Sequence, residues 1–239
     1  MKQLLTIISV IFATTLTSFA QNKGYVISGV IDDSDRPEVL RIKDGEPAFL
    51  WFDNPEKKIE VPVKDGKFRI EGHVDHPTRC FFGVGGPAQY IILDNANYWV
   101  TLTFYKGKGA SGKNVLKNEM KIISDSGLFN TFMSWYDMYS KYHSILWEYQ
   151  KRVSTCSPDM IDFYKSKVDS VKNEIDSASL SIARDYPNKY LLPFVLLRQF
   201  DFSYERLWKE YETMSDSIKA TPIGREVRKR VLKSKEQKK

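Results

Sequence analysis

Two long segments with heptad spacing constrain the fold of this chain more than any other feature. In the first, apolar residues alternate four and three positions apart: Leu128, Phe132, Trp135, Tyr139, Tyr142, Leu146, Tyr149 and Val153. The second repeats the pattern with Ile161, Tyr164, Val168, Val171, Ile175, Ala178 and Ile182. A narrow apolar seam of this kind packs one helix along another. Because Ser157-Pro158-Asp159 between them is typical of a helix start, the sequence predicts a long helical hairpin.

Three further helices are expected after the hairpin. One is an apolar helix from Lys189 to Gln199, and the next begins after the potential cap Ser203. Thr221-Pro222 opens the last, because threonine caps helix starts and proline suits the first helical position.

The first half of the chain shows a different pattern. Two alternating runs meet at Asp65-Gly66, and Asp-Gly between such runs is a strong signal for a β-hairpin. In the second run Phe68 and Ile70 point to one side while Lys67, Arg69 and Glu71 point to the other. Predicted strands cover 25–31, 48–52, 59–63, 67–74, 80–84, 90–93 and 98–104. Short strands separated by turn clusters favour an antiparallel β-sandwich or barrel.

The chain is therefore predicted to be an α+β protein with an antiparallel β domain followed by an all-helical domain. We assign residues 1–20 to a signal peptide, 21–112 to the β domain, and 113–239 to the helical domain with its basic tail. The glycine-rich segment 106–113 is interpreted as the linker. It also matches a phosphate-binding loop as far as Lys113, but Asn114 replaces the Ser or Thr that would bind Mg²⁺.

The first twenty residues are typical of a secretory signal. Lys2 precedes an apolar run, and Ser18-Phe19-Ala20 provides the small residues that a signal peptidase requires. We expect cleavage between Ala20 and Gln21 and a periplasmic or secreted protein without a membrane span. No cysteine follows Ala20, so we expect no lipid anchor at this position.

The positive charge of the chain is concentrated at its C-terminus. The formal net charge is +6, and residues 225–239 contain eight Lys or Arg but only two acidic residues, Glu226 and Glu236. An excess confined to one terminal run favours a solvated helix end over a nucleic-acid site. We therefore predict no nucleic-acid partner, and the sequence leaves the oligomeric state open.

A candidate binding surface lies on the first long helix. Tyr136 and Trp147 fall off the apolar seam, and His143 lies between them in sequence. Exposed aromatic side chains suit a sugar-stacking or peptide-binding surface. The alternative is that the aromatic residues of this helix serve core packing, which fits those on the seam better.

The sequence predicts no catalytic residue, no cofactor and no metal site. His73, Asp75, His76 and Cys80 are metal-ligand types, but no second cluster completes a closed site. An oxidising compartment permits a bridge between Cys80 and Cys156, but a chain of this size does not need one, so two free or individually buried thiols are expected. Without a C-x-x-C motif they cannot sustain disulfide exchange. Enzymatic activity is not expected.

The order of these features resembles DUF4369, a domain of unknown function common in exported proteins of Bacteroidetes-type bacteria. The matching residues are Gly29, Asp65-Gly66-x-Phe68, Gly72, Pro77, Ile92-Leu93-Asp94, the loop 109–112, Asp185-Tyr186-Pro187-Asn188 and Thr221-Pro222-Ile223-Gly224-Arg225.

In that family the domain usually precedes a TlpA-like, AhpC/TSA-type thioredoxin domain with a C-x-x-C site. The present sequence contains no C-x-x-C, so the redox activity of the longer relatives is not carried over. The resemblance implies an exported, non-catalytic binding or accessory module linked to thiol-redox or envelope processes. Its expected partner is a protein, with a thioredoxin-like protein as one candidate. The alternatives are a glycan- or peptide-binding protein, or a redox participant whose thioredoxin domain is on another chain.

Overall fold

The computed structural model describes residues 24–53, 56–109, 111–198 and 202–236. The predicted signal peptide and its cleavage site between Ala20 and Gln21 lie outside these residues. The strands are β1 (Tyr25–Asp32), β2 (Pro47–Asp53), β3 (Glu56–Pro62), β4 (Lys67–Gly72), β5 (Thr78–Val84), β6 (Ala88–Leu93), β7 (Asn97–Lys108) and β8 (Asn114–Ser124). They form two four-stranded sheets, sheet 1 in the order β4-β1-β7-β8 and sheet 2 in the order β3-β2-β5-β6.

Sheet 1 is mixed rather than fully antiparallel. β1 pairs antiparallel with β4, and β7 pairs antiparallel with β8. β1 and β7, however, run parallel, with Ser28 opposite Trp99. Alternation predicts which side chains share a face but not the direction of a neighbouring strand, so this pair was not foreseen.

The Asp65-Gly66 turn forms, but its two arms do not make the predicted hairpin. Asp65 and Gly66 both have positive φ, and Lys64 and Lys67 exchange two backbone hydrogen bonds of 2.8 and 2.9 Å. Beyond this single bridge the arms part, because β3 belongs to sheet 2 whereas β4 pairs with β1 in sheet 1. The predicted facing of β4 is confirmed, with Phe68 and Ile70 buried between exposed neighbours.

Gly29 lies where the ring of Phe68 crosses β1. The two residues are directly paired, and a Cβ at Gly29 would lie 2.0 Å from Cζ of Phe68. Glycine is therefore required here for space, so that the aromatic ring can lie against the strand backbone.

The segment 106–113 is not a linker between a β and a helical part. Residues 106–108 end β7, and Lys113 is followed by β8, so the segment is the tip of a β-hairpin. The absence of a helix after Lys113 also contradicts the phosphate-loop interpretation, which needs a strand-to-helix connection. The sequence pattern does not predict β8, and residues 114–124 belong to sheet 1 rather than to the helical domain.

The helices are α1 (Gly127–Thr155), α2 (Ile161–Asp185), α3 (Leu192–Arg198), α4 (Tyr204–Glu212), α5 (Asp216–Lys219) and α6 (Pro222–Glu236). The α+β fold class and the helical hairpin α1/α2 are confirmed. Ser203 and Thr221 cap α4 and α6 through their hydroxyl oxygens, which accept from the amides of Arg206 and Gly224. Ser157 makes no such cap, and α2 begins at Ile161 after the 3₁₀ turn Pro158–Met160.

The seam of the hairpin is buried to different depths along its length. Near the start of α1, Leu128, Phe132 and Trp135 join a large core with α3 to α6. The indole Nε1 of Trp135 donates to Oγ of the buried Ser179, 2.9 Å away, and so ties α1 to α2. Farther along, a small cluster of Leu146, Val171 and Ile175 holds the two arms together.

The chain divides into two compact units. The first comprises the described residues of 1–48, 60–77 and 93–126, and thus the strands of sheet 1. The second comprises those of 49–59, 78–92 and 127–239, which combine most of sheet 2 with α1 to α6. Within the second unit, Ile92 from β6 is part of the helical core. The sequence boundary at residue 112 therefore falls inside the first unit.

Candidate functional site

The three candidate residues Tyr136, His143 and Trp147 lie on one side of α1. Their spacing of seven and four residues returns to nearly the same angle on a helix with 3.6 residues per turn. Lys151, four residues beyond Trp147, continues this line. We call these four residues the α1 flank. It extends over about 22 Å of helix, at 1.5 Å per residue.

Tyr136 anchors the buried end of the α1 flank. It is half-buried against the helical core and stacks with Phe132 at a ring separation of 6.1 Å. The guanidinium of Arg198 lies 5.5 Å from its ring centre and donates to its hydroxyl over 3.5 Å. These contacts give Tyr136 a packing role, so it contributes less free surface than expected from sequence.

His143 and Trp147 form the exposed part of the α1 flank. The imidazole of His143 stacks on Tyr139, with ring centres 5.6 Å apart and planes at 29°. Trp147 is 59% exposed, and Nζ of Lys151 lies 5.6 Å from its ring centre. The large apolar indole is thus held in solvent on a regular helix beside a cation.

The two cysteines are not disulfide-bonded, and they differ in accessibility. Cys80 is fully buried in β5 among apolar side chains. Cys156 is half-buried and follows the last residue of α1, so it lies at a helix C-terminus, with Sγ 4.0 Å from the carbonyl oxygen of Val153. No disulfide links them.

The residues considered for metal binding do not form a recognisable site. Nε2 of the exposed His73 lies 3.4 Å from a carboxylate oxygen of Asp75. Cys80 is buried and belongs to the other compact unit. Within the described ranges, no group of three or more His, Cys, Asp or Glu side chains is arranged to hold a metal ion.

A second exposed surface, not recognised from sequence, lies on sheet 1. Strand pairing aligns Arg69, Ser28, Trp99 and Ile123 in one row across β4, β1, β7 and β8. Trp99 is 50% exposed and Ile123 is 55% exposed, and a guanidinium nitrogen of Arg69 donates to Oγ of Ser28 over 3.3 Å. We call this row the Trp99 face. The sequence contains a signal for this face. Because side chains alternate along β7, Trp99 points away from the side of the sheet to which Tyr98 and Val100 point.

One strongly perturbed titratable group, Tyr98, has a structural role. Burial, followed by the charge of Asp94, raises the pKa of Tyr98 well above its usual range. The Tyr98 hydroxyl bonds to the Asp94 carboxylate and accepts from the Asp94 amide at 2.9 Å, while Ser126 Oγ donates to the other carboxylate oxygen at 2.7 Å. Asp94 and Tyr98 flank the β6–β7 turn whereas Ser126 follows β8, so this network ties the β6–β7 connection to the end of β8.

No protein-family model, curated protein or solved structure gives a match to this chain. Among the helices that the structure describes, none combines the length and the apolar character needed to cross a membrane.

Proposed function

We propose that this chain is an exported, non-catalytic binding module that contacts a protein partner through the α1 flank. The observation that carries the proposal is the exposure of Trp147, an indole 59% exposed on a regular helix. Tryptophan is enriched among the residues that dominate the free energy of protein association. An exposed aromatic side chain on a rigid element therefore supports a binding role.

The helical hairpin gives the α1 flank the rigidity that binding requires. Leu146, adjacent to Trp147, packs against Val171 and Ile175 of α2. Farther out, the rings of Tyr149 and Tyr164 lie 6.3 Å apart across the two arms. Because the helix backbone is fixed by these contacts, little conformational entropy is lost when a partner covers Trp147 and His143.

The surface suits a protein better than a small molecule. Small-molecule sites are concave and bury most of their ligand, whereas the α1 flank is the convex side of one helix. One surface cavity of about 400 Å³ is lined by residues that include Arg184 and Glu210, and another of about 500 Å³ by residues that include Leu207 and Arg230. Neither cavity is lined by residues of the α1 flank. The DUF4369 resemblance makes a thioredoxin-like protein of the same compartment the first partner to test.

Photo-cross-linking from the flank tests this proposal. A benzophenone amino acid in place of the exposed Gln150, about one turn from Trp147, leaves the indole intact. In the mature protein expressed in its native host, it is expected to yield one discrete adduct whose partner is identified by mass spectrometry. The same probe in place of the exposed Lys165 of α2 is the matched control. Adducts of equal yield and identity from both positions, or none from position 150, would contradict the proposal.

Glycan binding is a second candidate function, favoured by the Trp99 face. A flat indole with hydrogen-bonding groups on the neighbouring strands is suited to stacking on a sugar ring. Ser28 and Arg69 lie on one side of Trp99, and Asn97 donates to Asp125 over 2.7 Å at the end of the same strand. Binding of soluble envelope oligosaccharides, lost in Trp99→Ala but kept in Trp147→Ala, would favour this alternative.

A further inference from the structure

The β7–β8 hairpin extends well beyond the rest of sheet 1. β1 pairs with β7 only as far as Asp32 opposite Thr103, whereas β7 and β8 continue to pair as far as Lys108 opposite Asn114. We call residues 105–109 and 111–117 the β7–β8 arm. β7 continues for five residues past Thr103, to Lys108, so the hairpin projects about 17 Å past the last pairing with β1.

The base of the arm is packed against the protein, whereas both faces of the arm are exposed to solvent. Phe104, just before the arm, is buried, and Cζ of Arg36 lies 4.3 Å from its ring centre. Beyond this point, every described residue of the arm is exposed or half-exposed, on both faces of the two-stranded ribbon. The arm is thus a narrow projection on a packed base.

The charges of the arm all have one sign. It contains Lys106, Lys108, Lys113 and Lys117 and no acidic residue. All four lysines are exposed, and none forms an ion pair within the portion of the chain that is described. The projection therefore carries a net charge of about +4, which complements an anionic surface.

Apolar side chains are interleaved with these lysines on both faces. Tyr105 lies opposite Lys117 on one face, and Leu116 lies opposite Lys106 on the other. Tyr105, Val115 and Leu116 are each about two-fifths exposed. A Cβ at Gly107 would lie 2.8 Å from Cδ of Lys117, so the alkyl part of this lysine crosses the bare backbone of β7.

We propose that the β7–β8 arm binds an anionic lipid surface. Interleaved lysine and apolar side chains match the boundary between lipid head groups and acyl chains, where Tyr is favoured and lysine stems extend toward the phosphates. Exposure of both faces fits entry into a fluid surface better than docking on a rigid protein, which would cover one face. The proposal is independent of the partner assigned to the α1 flank.

Vesicle co-sedimentation of the mature full-length protein tests the proposal. Wild type is expected to bind phosphatidylcholine vesicles that contain a quarter phosphatidylglycerol and not pure phosphatidylcholine. Each lysine near an anionic leaflet raises the partition coefficient roughly fivefold, so replacing the four arm lysines by Gln should lower it by at least tenfold. About 0.5 M salt should weaken wild-type binding by screening.

A matched control distinguishes the effect of the arm lysines from the effect of the protein's net charge. The control variant has Gln in place of four exposed lysines outside the arm, Lys43, Lys141, Lys165 and Lys209. It loses the same charge as the arm variant but should bind vesicles within about twofold of wild type. Equal loss in both variants, or no binding to anionic vesicles by wild type, overturns the proposal. The proposal is also overturned if a variant of α6 loses vesicle binding while the arm variant retains it. That variant has Gln in place of Arg228, Lys229, Lys233 and Lys235.

A second arm variant keeps all four lysines. Tyr105→Ser with Leu116→Ser removes only the apolar contacts and should weaken vesicle binding several-fold, with unchanged far-UV circular dichroism. If this variant bound anionic vesicles as strongly as wild type, the apolar side chains of the arm would not insert into the lipid, and the proposal would be overturned. So would binding to poly-glutamate but not to anionic vesicles, because the occupant would then be an acidic polypeptide.

Discussion

The guanidinium of Arg184 donates to both carboxylate oxygens of Glu210, whose side chain is only 2% exposed. The pair joins α2 to α4 inside the second compact unit. Glu210 also lies on the helix that contributes Leu207 and Tyr211 to the core. A buried carboxylate requires such a partner, because its desolvation is otherwise uncompensated.

Arg184→Leu is therefore expected to destabilise the fold by about 2 kcal/mol. Removing one partner of a fully buried ion pair lowers the free energy of unfolding by roughly 3–5 kcal/mol. The expected loss is smaller here because Arg184 is partly exposed to solvent. Urea unfolding followed by circular dichroism measures the change. Lys209→Leu, on the exposed side of α4, is the control and should change stability by less than about 0.5 kcal/mol.

The converse experiment uses the double variant. Arg184→Leu with Glu210→Leu removes both charges and should recover much of the lost stability. If the double variant is no more stable than Arg184→Leu, the cost does not come from an unpaired buried carboxylate.

Tyr98→Phe should destabilise the β6–β7 connection by about 2 kcal/mol, because it leaves the Asp94 carboxylate and amide without the hydroxyl. The pKa of Tyr98 is raised in the folded state, so its stabilising contribution is complete below the unfolded pKa of 10.0. As pH rises above 10, the unfolded state loses this proton while the folded state keeps it. The stability difference between wild type and Tyr98→Phe should therefore shrink in this range.

Unfolding at a series of pH values from neutral to alkaline measures this difference. Tyr105→Phe, on the exposed side of the same strand, is the matched control and should change stability by less than about 0.5 kcal/mol at neutral pH. A difference between wild type and Tyr98→Phe that stays constant above pH 10 would mean that Tyr98 is accessible and ionises normally.

Gly29→Ala should destabilise sheet 1 by about 1–3 kcal/mol, because the added methyl overlaps the ring of Phe68. The cost should fall when Phe68 is also replaced by Leu, so that the two substitutions are coupled. A double-mutant cycle by denaturant unfolding measures this coupling. Strictly additive effects would show that the ring does not lie over Gly29.

How far the fold follows from sequence depends on whether a pattern is local. Heptad spacing fixes which side of a helix is apolar, so the α1/α2 hairpin was predictable. β8 was not, because only Met120, Ile122 and Ser124 lose substantial exposure and its remaining residues face solvent, as in an edge strand. Its position is set by pairing with β7.

Long-range partners account for the other differences. The Asp65-Gly66 turn is local and formed as expected, whereas the separation of its arms into two sheets depends on β1 and β2. Trp147 was identified as a residue off the seam and is exposed. Tyr136 was selected by the same criterion, yet Arg198 and Phe132 partly cover it, and contacts from a distant helix leave no trace in local spacing.

The two thiols should not catalyse disulfide exchange. Cys80 is buried, Cys156 lies at the end of α1, and neither has a second cysteine three positions away. Insulin reduction by the mature wild type should equal that of Cys80→Ser with Cys156→Ser. Turnover by wild type that disappears in either single variant would contradict the non-catalytic account.

The affinity of the cross-linked partner for flank variants tests the central claim most directly. Titration calorimetry with wild type, Trp147→Ala and Trp208→Ala compares two exposed tryptophans on different helices. Loss of a dominant contact of about 2 kcal/mol corresponds to roughly thirtyfold weaker binding, which we predict for Trp147→Ala. Trp208→Ala should bind within about twofold of wild type. Unchanged affinity of a folded Trp147→Ala variant would contradict the assignment of the α1 flank as the binding surface.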